Sequence, residues 1–245
     1  MTTIKERRTI RKYKSTPIAQ DLLNRLLEEA MRTPTMGNMQ LYSVVATTDP
    51  KVKAELAPAH FNQPMVMGAP LVLTFCADFN RASKWCEQRE AQPGYDNFLS
   101  FINAASDTLL LTQTFCNLAE AEGLGTCYLG TTVYMPKDII RVLNLPRLVF
   151  PVATITVGYP DEWPEQSDRL PLDGILHHDT YKDYLPADID RIYAYKESLE
   201  ESKRFVAENN KKTLAQVFTD VRYTKNDNVF MSKGLMEALE MQGFV

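Results

Sequence analysis

The chain has 245 residues, 44% of them apolar and 24% charged, with only 10 glycines. That is ordinary globular usage with room for a sizeable core, and it excludes collagen-like and low-complexity classes. Thirty-one acids against 27 bases leave a net charge of −4, which argues against a general nucleic-acid binder.

The charge is uneven. Residues 1–14 hold Lys5, Arg7, Arg8, Arg11, Lys12 and Lys14 against a single acid, Glu6, whereas residues 160–190 hold nine acids against Arg169 and Lys182. The four cysteines form no C-x-x-C pair, and no N-x-[ST] acceptor occurs. The basic N-terminus lacks the apolar run of a signal peptide. The longest charge-free window, Leu56–Ala77, is interrupted by Pro58, Pro64 and Pro70 and does not read as a membrane span. A soluble, reduced, cytoplasmic protein is expected.

In chain order, Thr16-Pro17 followed by Leu22, Leu23, Leu26, Leu27 and Ala30 predicts a capped amphipathic helix. Thr33–Met39 reads as a loop and Leu41–Thr48 as a strand. Asp49-Pro50 opens a short helix to Ala57, and Pro70–Ala77 is a second apolar strand. Residues 95–122 form the longest helical stretch. Its apolar residues spread around most of the circumference, and Asp107 is the one charge between Asn97 and Ala119. A helix with no charged face is buried on most sides, either centrally or by a second subunit. Thr126–Thr131 reads as a third strand, Pro136–Leu143 as a helix and Pro151–Val157 as a fourth strand. The acidic stretch Tyr159–Pro186 has little periodicity, and helices return at Asp188–Glu208, Leu214–Val221 and Met231–Gln242. The sum is an α+β chain: a small mixed sheet wrapped in many helices, with extended segments, in one domain over 1–245.

Standard motifs fail. Gly123-Leu124-Gly125 lies after a helix and before a strand, the wrong order for a dinucleotide fingerprint, and reads as a helix C-cap. There is no P-loop, H-E-x-x-H or G-x-S-x-G. His60, His177 and His178 have no cysteine near them in sequence, so no metal site is assigned. Cys76, Cys116 and Cys127 sit in apolar runs as small hydrophobes.

One segment carries more. In Arg7-Arg8-Thr9-Ile10-Arg11-Lys12-Tyr13, an extended backbone would turn Arg7, Thr9 and Arg11 to one side, and Arg forks suit phosphate oxygens and polarised ring carbonyls. A solvated basic tail is the bland alternative. Further along come Thr35-Met36-Gly37-Asn38-Met39-Gln40, Gln63, Phe75-Cys76-Ala77-Asp78-Phe79-Asn80-Arg81 and Gly123 to Gly130. Leu143 to Pro146, Val157-Gly158-Tyr159-Pro160, Arg169-Leu170-Pro171 and His178 to Tyr181 follow, then Asn209-Asn210-Lys211-Lys212 and Gln242-Gly243-Phe244. In this order and spacing the chain resembles the nitroreductase-like FMN flavoenzymes, in particular their NADPH-dependent oxygen-insensitive nitroreductase and NADPH–flavin oxidoreductase branch, over nearly its whole length.

The resemblance implies a homodimer with FMN at its interface and the charge-poor helix at 95–122 covered by the second copy. It places Arg7, Arg8, Thr9 and Arg11 on the FMN phosphate and the polar edge of the ring, and Thr35, Met36, Gly37 and Gln40 along the ribityl and ring region. Gln63 offers an amide near the ring. Tyr128, Leu129, Gly130 and Thr131 set backbone groups against the isoalloxazine, and Arg169 closes over the cofactor. Lys211 and Lys212 would grip the 2′-phosphate of NADPH, favouring it over NADH. The implied activity is ping-pong reduction of nitroaromatics or quinones by NAD(P)H through bound flavin, with no obligatory side-chain acid or base. Two alternatives stand beside it: a flavin reductase supplying reduced free flavin, and a non-enzymatic helical dimeric binding module. No nucleic acid or membrane is implied. Arg7 replaces a His common in the branch, and Ser167 replaces a Lys, which bears on the flavin potential.

Overall fold

The computed structural model describes residues 4–245, and the chain divides into two compact units. One runs to Gln166 and resumes with Met231–Val245; the other is Ser167–Phe230. The first unit is built on a four-stranded sheet of β1 (Tyr42–Thr47), β2 (Leu71–Asp78), β3 (Gly125–Leu129) and β4 (Val149–Gly158), in the order β1-β2-β4-β3. All three pairings are antiparallel, which corrects the expectation of a mixed sheet. The reason lies in the connections. Thr47, the last residue of β1, pairs with Val72 near the start of β2, and Leu129, the last of β3, pairs with Thr154 in the middle of β4, so each helical excursion turns back onto the strand it left. β4 begins two residues before the proline taken from sequence as its start. The register slips between Phe75 and Cys76, opposite Ala153 and Pro151, and such a bulge accommodates a proline that cannot donate to the ladder.

Six helices accompany the sheet before Gln166: α1 (Gln20–Ala30), α2 (Pro50–Leu56), α3 (Pro64–Gly68), α4 (Asn80–Glu87), α5 (Phe98–Ala121) and α6 (Pro136–Val142). Leu23 and Leu26 of α1 and Leu111, Phe115 and Ala119 of α5 pack with Leu73, Phe75, Ile155 and Val157 of the sheet. A separate cluster joins Ala57, Met65 and Val66 to Cys127 and Leu129 of β3. All eight residues of β2 are buried, which is why it reads as a continuous apolar run. α5 ends where Gly123 takes φ +81°, and the N–H of Leu124 folds back to Ala119 O at 3.0 Å, as a glycine C-cap requires. One face of α5 has no cover among the described residues: Leu99 is 69% exposed, and Ile102, Leu109 and Leu110 are about half exposed at helical spacing.

The second unit holds α7 (Pro186–Ser198), α8 (Glu200–Glu208) and α9 (Leu214–Val217), the last running into a π-helical turn at Phe218–Arg222. The helix read over Asp188–Glu208 is therefore two, broken at Leu199, whose backbone is extended (φ −62°, ψ 138°). α10 (Lys225–Gln242) starts earlier than Met231, and its residues from Met231 on belong to the first unit. There Ala238, Leu239 and the following Phe244 join Leu41, Phe79 and Phe150 in a third cluster. No described helix is long and apolar enough to cross a membrane, and no described cluster of His, Cys, Asp or Glu could hold a metal ion.

Candidate functional site

The basic segment lies along the free edge of β3. The Ile10 N–H donates to Thr126 O at 3.1 Å, and the Lys14 N–H to Tyr159 O at 2.9 Å. Ile10 is buried directly over Gly125, where a Cβ would stand 2.6 Å from the Ile10 Cβ, so the close approach requires glycine. The Tyr13 hydroxyl donates to Ile10 O at 2.6 Å and meets Thr156 Oγ1 at 2.7 Å. Burial pushes this phenol up, so it stays protonated. The acidic stretch holds the segment by its backbone. Glu162 accepts from the N–H groups of Arg11 (2.7 Å) and Lys12 (3.1 Å), and the Gln166 amide donates to Lys5 O and Arg7 O.

The four predicted phosphate-side residues then diverge. The Arg7 Nε pairs with Glu120 of α5 at 3.2 Å. That carboxyl is pushed up by burial, against the Thr126 hydroxyl and Arg7, which pull it down. Arg8 donates to Glu6 O at 2.9 Å and lies 5.2 Å from the centroid of Trp163, while its Nε is buried without a partner. The Thr9 hydroxyl is half-buried, and the Arg11 guanidinium is exposed. Neither makes a hydrogen bond or ion pair among the described residues.

The loop at Thr35–Gln40 is anchored on α5 and α4. Met36–Asn38 is a single 3-10 turn, with Gly37, Asn38 and Gln40 all in the left-handed region at φ near +55°. The Met36 N–H donates to Asp107 Oδ1 at 3.0 Å. Arg81 donates to Gln40 O and, at 3.2 Å, to Tyr42 O.

Gln63 caps α3, beside the end of β3. That strand stops at Leu129, earlier than the predicted Thr131, because Gly130–Val133 coils into a 3-10 turn. Buried His60 ties the two segments together through an Nδ1···Thr131 Oγ1 contact of 2.9 Å. Burial pushes this imidazole down to about 4, so it is neutral at pH 7. Tyr128 is likewise kept protonated, mainly by burial. At Gly130 a Cβ would meet nothing within 4 Å, so the backbone there faces open space. In the first unit, then, the basic segment, the end of β3, His60 and the cap of α3 come together, while the Thr35–Gln40 loop is held separately by Asp107 and Arg81.

Arg169, Lys211 and Lys212 lie in the second unit. Arg169 donates to the carbonyls of Ser167 (3.3 Å) and Asp168 (2.7 Å), both neutral acceptors, so its charge is not neutralised. Asp168 is clamped by Lys196 at 3.0 Å. Lys211 is engaged by Asp220 at 3.0 Å, which holds that carboxyl below its usual range. Lys212 makes no ion pair among the described residues and lines a cavity with Lys203, Glu197 and Leu214. The residues that sequence reading missed are His60, Arg81, Glu162 and Lys196. His60 and Lys196 bond to partners 71 and 28 residues away, so no local pattern marks them.

The unspecialised donor set is consistent with what the chain resembles among known proteins. The family model described as the nitroreductase family matches residues 4–159. A Bacillus subtilis protein named FMN reductase [NAD(P)H] is 32% identical over 206 residues, covering 81% of this chain and 80% of that one. A crystal structure from Bacteroides fragilis NCTC 9343, provisionally described as an oxidoreductase, is 63% identical with a TM-score of 0.99 over 100% of both chains. The structure of NfrA2 from B. megaterium is 28% identical with a TM-score of 0.85, covering 98% of this chain and 96% of that one.

Proposed function

The chain belongs to the nitroreductase family, and on that premise we propose that it is an FMN-dependent NAD(P)H oxidoreductase acting on nitroaromatics or quinones. The observation that carries the reading is its 32% identity, over four-fifths of both chains, to a protein named FMN reductase [NAD(P)H]. The donors left over by the fold fit the cofactor. The exposed Arg11 guanidinium, the Thr9 and Thr35 hydroxyls and the Gln63 carboxamide have no side-chain partner among the described residues, and Gly130 opens onto free space. In the first unit Arg11 would hold the phosphate and stabilise negative charge near the ring, and in the second unit Arg169 carries a guanidinium with no acid partner among the described residues. Thr9, Thr35 and Gln63 would donate to its polar edge and ribityl chain, with Arg8, Met36, Gly37, Gln40, Tyr128, Leu129 and Thr131 shaping the walls. Arg7, already engaged by Glu120, would act as a second-rank cation. When bound, FMN would supply the hydride-transfer chemistry between the nicotinamide and the acceptor.

On this reading 1–245 counts as one FMN-binding domain, in a cytoplasmic homodimer. The uncovered apolar face of α5 supports the dimer. Of the lysine pair, Lys212 is the one free to meet the 2′-phosphate of NADPH. The test of class is an absorbance spectrum of purified protein. Flavin bands that bleach on adding NADPH are expected, and a colourless protein that gains no bands from added FMN would refute the reading in favour of a binding module. The flavin-reductase alternative also fits the names of two relatives. Steady-state rates with free FMN against nitrofurazone or a benzoquinone separate the two.

A further inference from the structure

We propose that Asp107, the one charge between Asn97 and Ala119, is a positioning residue that fixes the Thr35–Gln40 loop through the Met36 N–H and thereby sets FMN affinity; the second part rests on the functional reading above. Asp107 is 2% exposed, on the face of α5 turned into the protein. A buried carboxylate is costly unless a donor meets it, and an apolar residue would serve packing better at this position. No cation is bonded to Asp107 among the described residues. What meets it is a backbone N–H 71 residues away, 3.0 Å from Oδ1, at the start of the loop.

The loop needs such a tie. Gly37, Asn38 and Gln40 take φ of 55°, 54° and 55°, a region that only glycine occupies freely. The bonds within the loop are few: Asn38 N–H to Thr35 O at 3.5 Å, Met39 N–H to Met36 O at 3.0 Å and the Gln40 side-chain amide to Asn38 O at 3.4 Å. The strained shape is therefore imposed from outside, by Arg81 on the carbonyls of Gln40 and Tyr42 at one end and by Asp107 at the other. Of the two anchoring side chains, Asp107 is the buried one and Arg81 the exposed one. The geometry around it is polar on both sides: Asp107 Oδ2 and the Tyr42 hydroxyl are both buried without a bonded partner. Burial and the charge of Asp107 raise the Tyr42 phenol, which keeps that hydroxyl a donor facing a carboxylate. With its N–H drawn inward, Met36 leaves its side chain exposed.

The test compares Asp107→Leu, which removes the acceptor while keeping the branching at Cγ, with Asp107→Asn, which keeps a carbonyl oxygen there. The first readout is amide hydrogen exchange at Met36–Gln40, measured without added cofactor. Exchange at least tenfold faster is expected in Asp107→Leu, with β2 and β4 amides unchanged and the parent rate retained in Asp107→Asn. The second readout is FMN affinity, expected to fall tenfold or more in Asp107→Leu and to hold within twofold in Asp107→Asn. Should Asp107→Leu fail to fold, Asp107→Ser, too short to reach the Met36 N–H, reads the same loss. Parent-like loop exchange in the Leu or Ser variant would overturn the proposal, as would an Asn variant as impaired as they are. A parent protein that takes up no FMN would sink the functional reading and with it the affinity claim, while the exchange rates still judge the tie itself.

Discussion

Buried His60 makes the stability of the protein depend on pH in a way that can be worked out in advance. The imidazole is fully buried, and its burial pushes it from 6.5 down to about 4. Between those two values the unfolded chain holds a proton that the folded chain does not. Stability is therefore fully present above pH 6.5 and drains away as pH falls towards 4. At about 1.4 kcal/mol per unit, the gap is worth about 3 kcal/mol at its limit, and about 2 kcal/mol of it is lost between pH 7 and pH 5. With a urea dependence of roughly 1–3 kcal/mol per molar, the unfolding midpoint should fall by roughly 1 M over that interval. Glu120 contributes with the opposite sign. Its folded carboxyl is raised, so its share of stability is present at low pH and is lost as pH rises through the folded value. It is common to parent and variant, so the comparison with His60→Gln, which keeps a group for Thr131 but does not titrate, isolates the histidine. The variant should lose about 2 kcal/mol less than the parent between pH 7 and pH 5. With three histidines in the chain, the His60 ring signal is also assignable by NMR. A ring titrating near 6.5, or a variant with the parent's pH dependence, would refute the reasoning.

Other consequences are quicker to check. Gly125→Ala would put a Cβ 2.6 Å from the Ile10 Cβ and should destabilise by about 1–3 kcal/mol, read as a drop of several degrees in Tm; an unchanged Tm contradicts the close packing of the basic segment on β3. Cys76, Cys116 and Cys127 are buried, with their thiols pushed up by burial (Cys116 to about 12), whereas Cys86 is half-buried. A thiol reagent should therefore label one cysteine in native protein and four in urea. Lys212→Ala should lower the ratio of kcat/KM for NADPH over NADH by tenfold or so, about 1.4 kcal/mol, and Lys211→Ala should lower it less because Asp220 engages that lysine. If neither variant, nor both together, moves the ratio, the lysine pair does not read the 2′-phosphate. Ile102→Glu with Leu109→Glu on the uncovered face of α5 should convert a dimer to monomer in sedimentation, and a dimer unchanged by both charges places the interface elsewhere.

β2 and β4 are legible in the sequence because burial on both faces leaves mostly apolar runs, as in Leu71–Ala77, and α5 is legible because it is long and nearly free of charge. α4 is not legible. Asn80–Glu87 is mostly polar, buries only Ser83 and spans about two turns, so Ala82, Trp85 and Cys86 are too few to mark a helix. The direction of the strands is invisible too, since it depends on where the helical connections turn back. At the site, the order of segments along the chain is readable, but the partners that assign each charge are not. Arg7 and Arg11 look alike at alternate positions; one is engaged by Glu120 on α5 and the other points to solvent. Asp168 reads as an uncompensated acid beside Ser167 until Lys196 is brought against it from α7.

The uneven charge of the sequence invites the idea that the acidic stretch neutralises the basic one by ion pairs. Glu162 and Gln166 do reach back from that stretch to the N-terminal segment, but they bind its backbone: Glu162 the N–H groups of Arg11 and Lys12, Gln166 the carbonyls of Lys5 and Arg7. A carboxylate that takes two main-chain donors fixes the path of the chain and satisfies groups that no strand pairs, without capturing the side chains. The Arg11 guanidinium is left exposed and free as a result. Surface ion pairs would have contributed little to stability in any case. The arrangement instead fixes the backbone that carries the cation and leaves the guanidinium unneutralised, which would suit an anionic cofactor group.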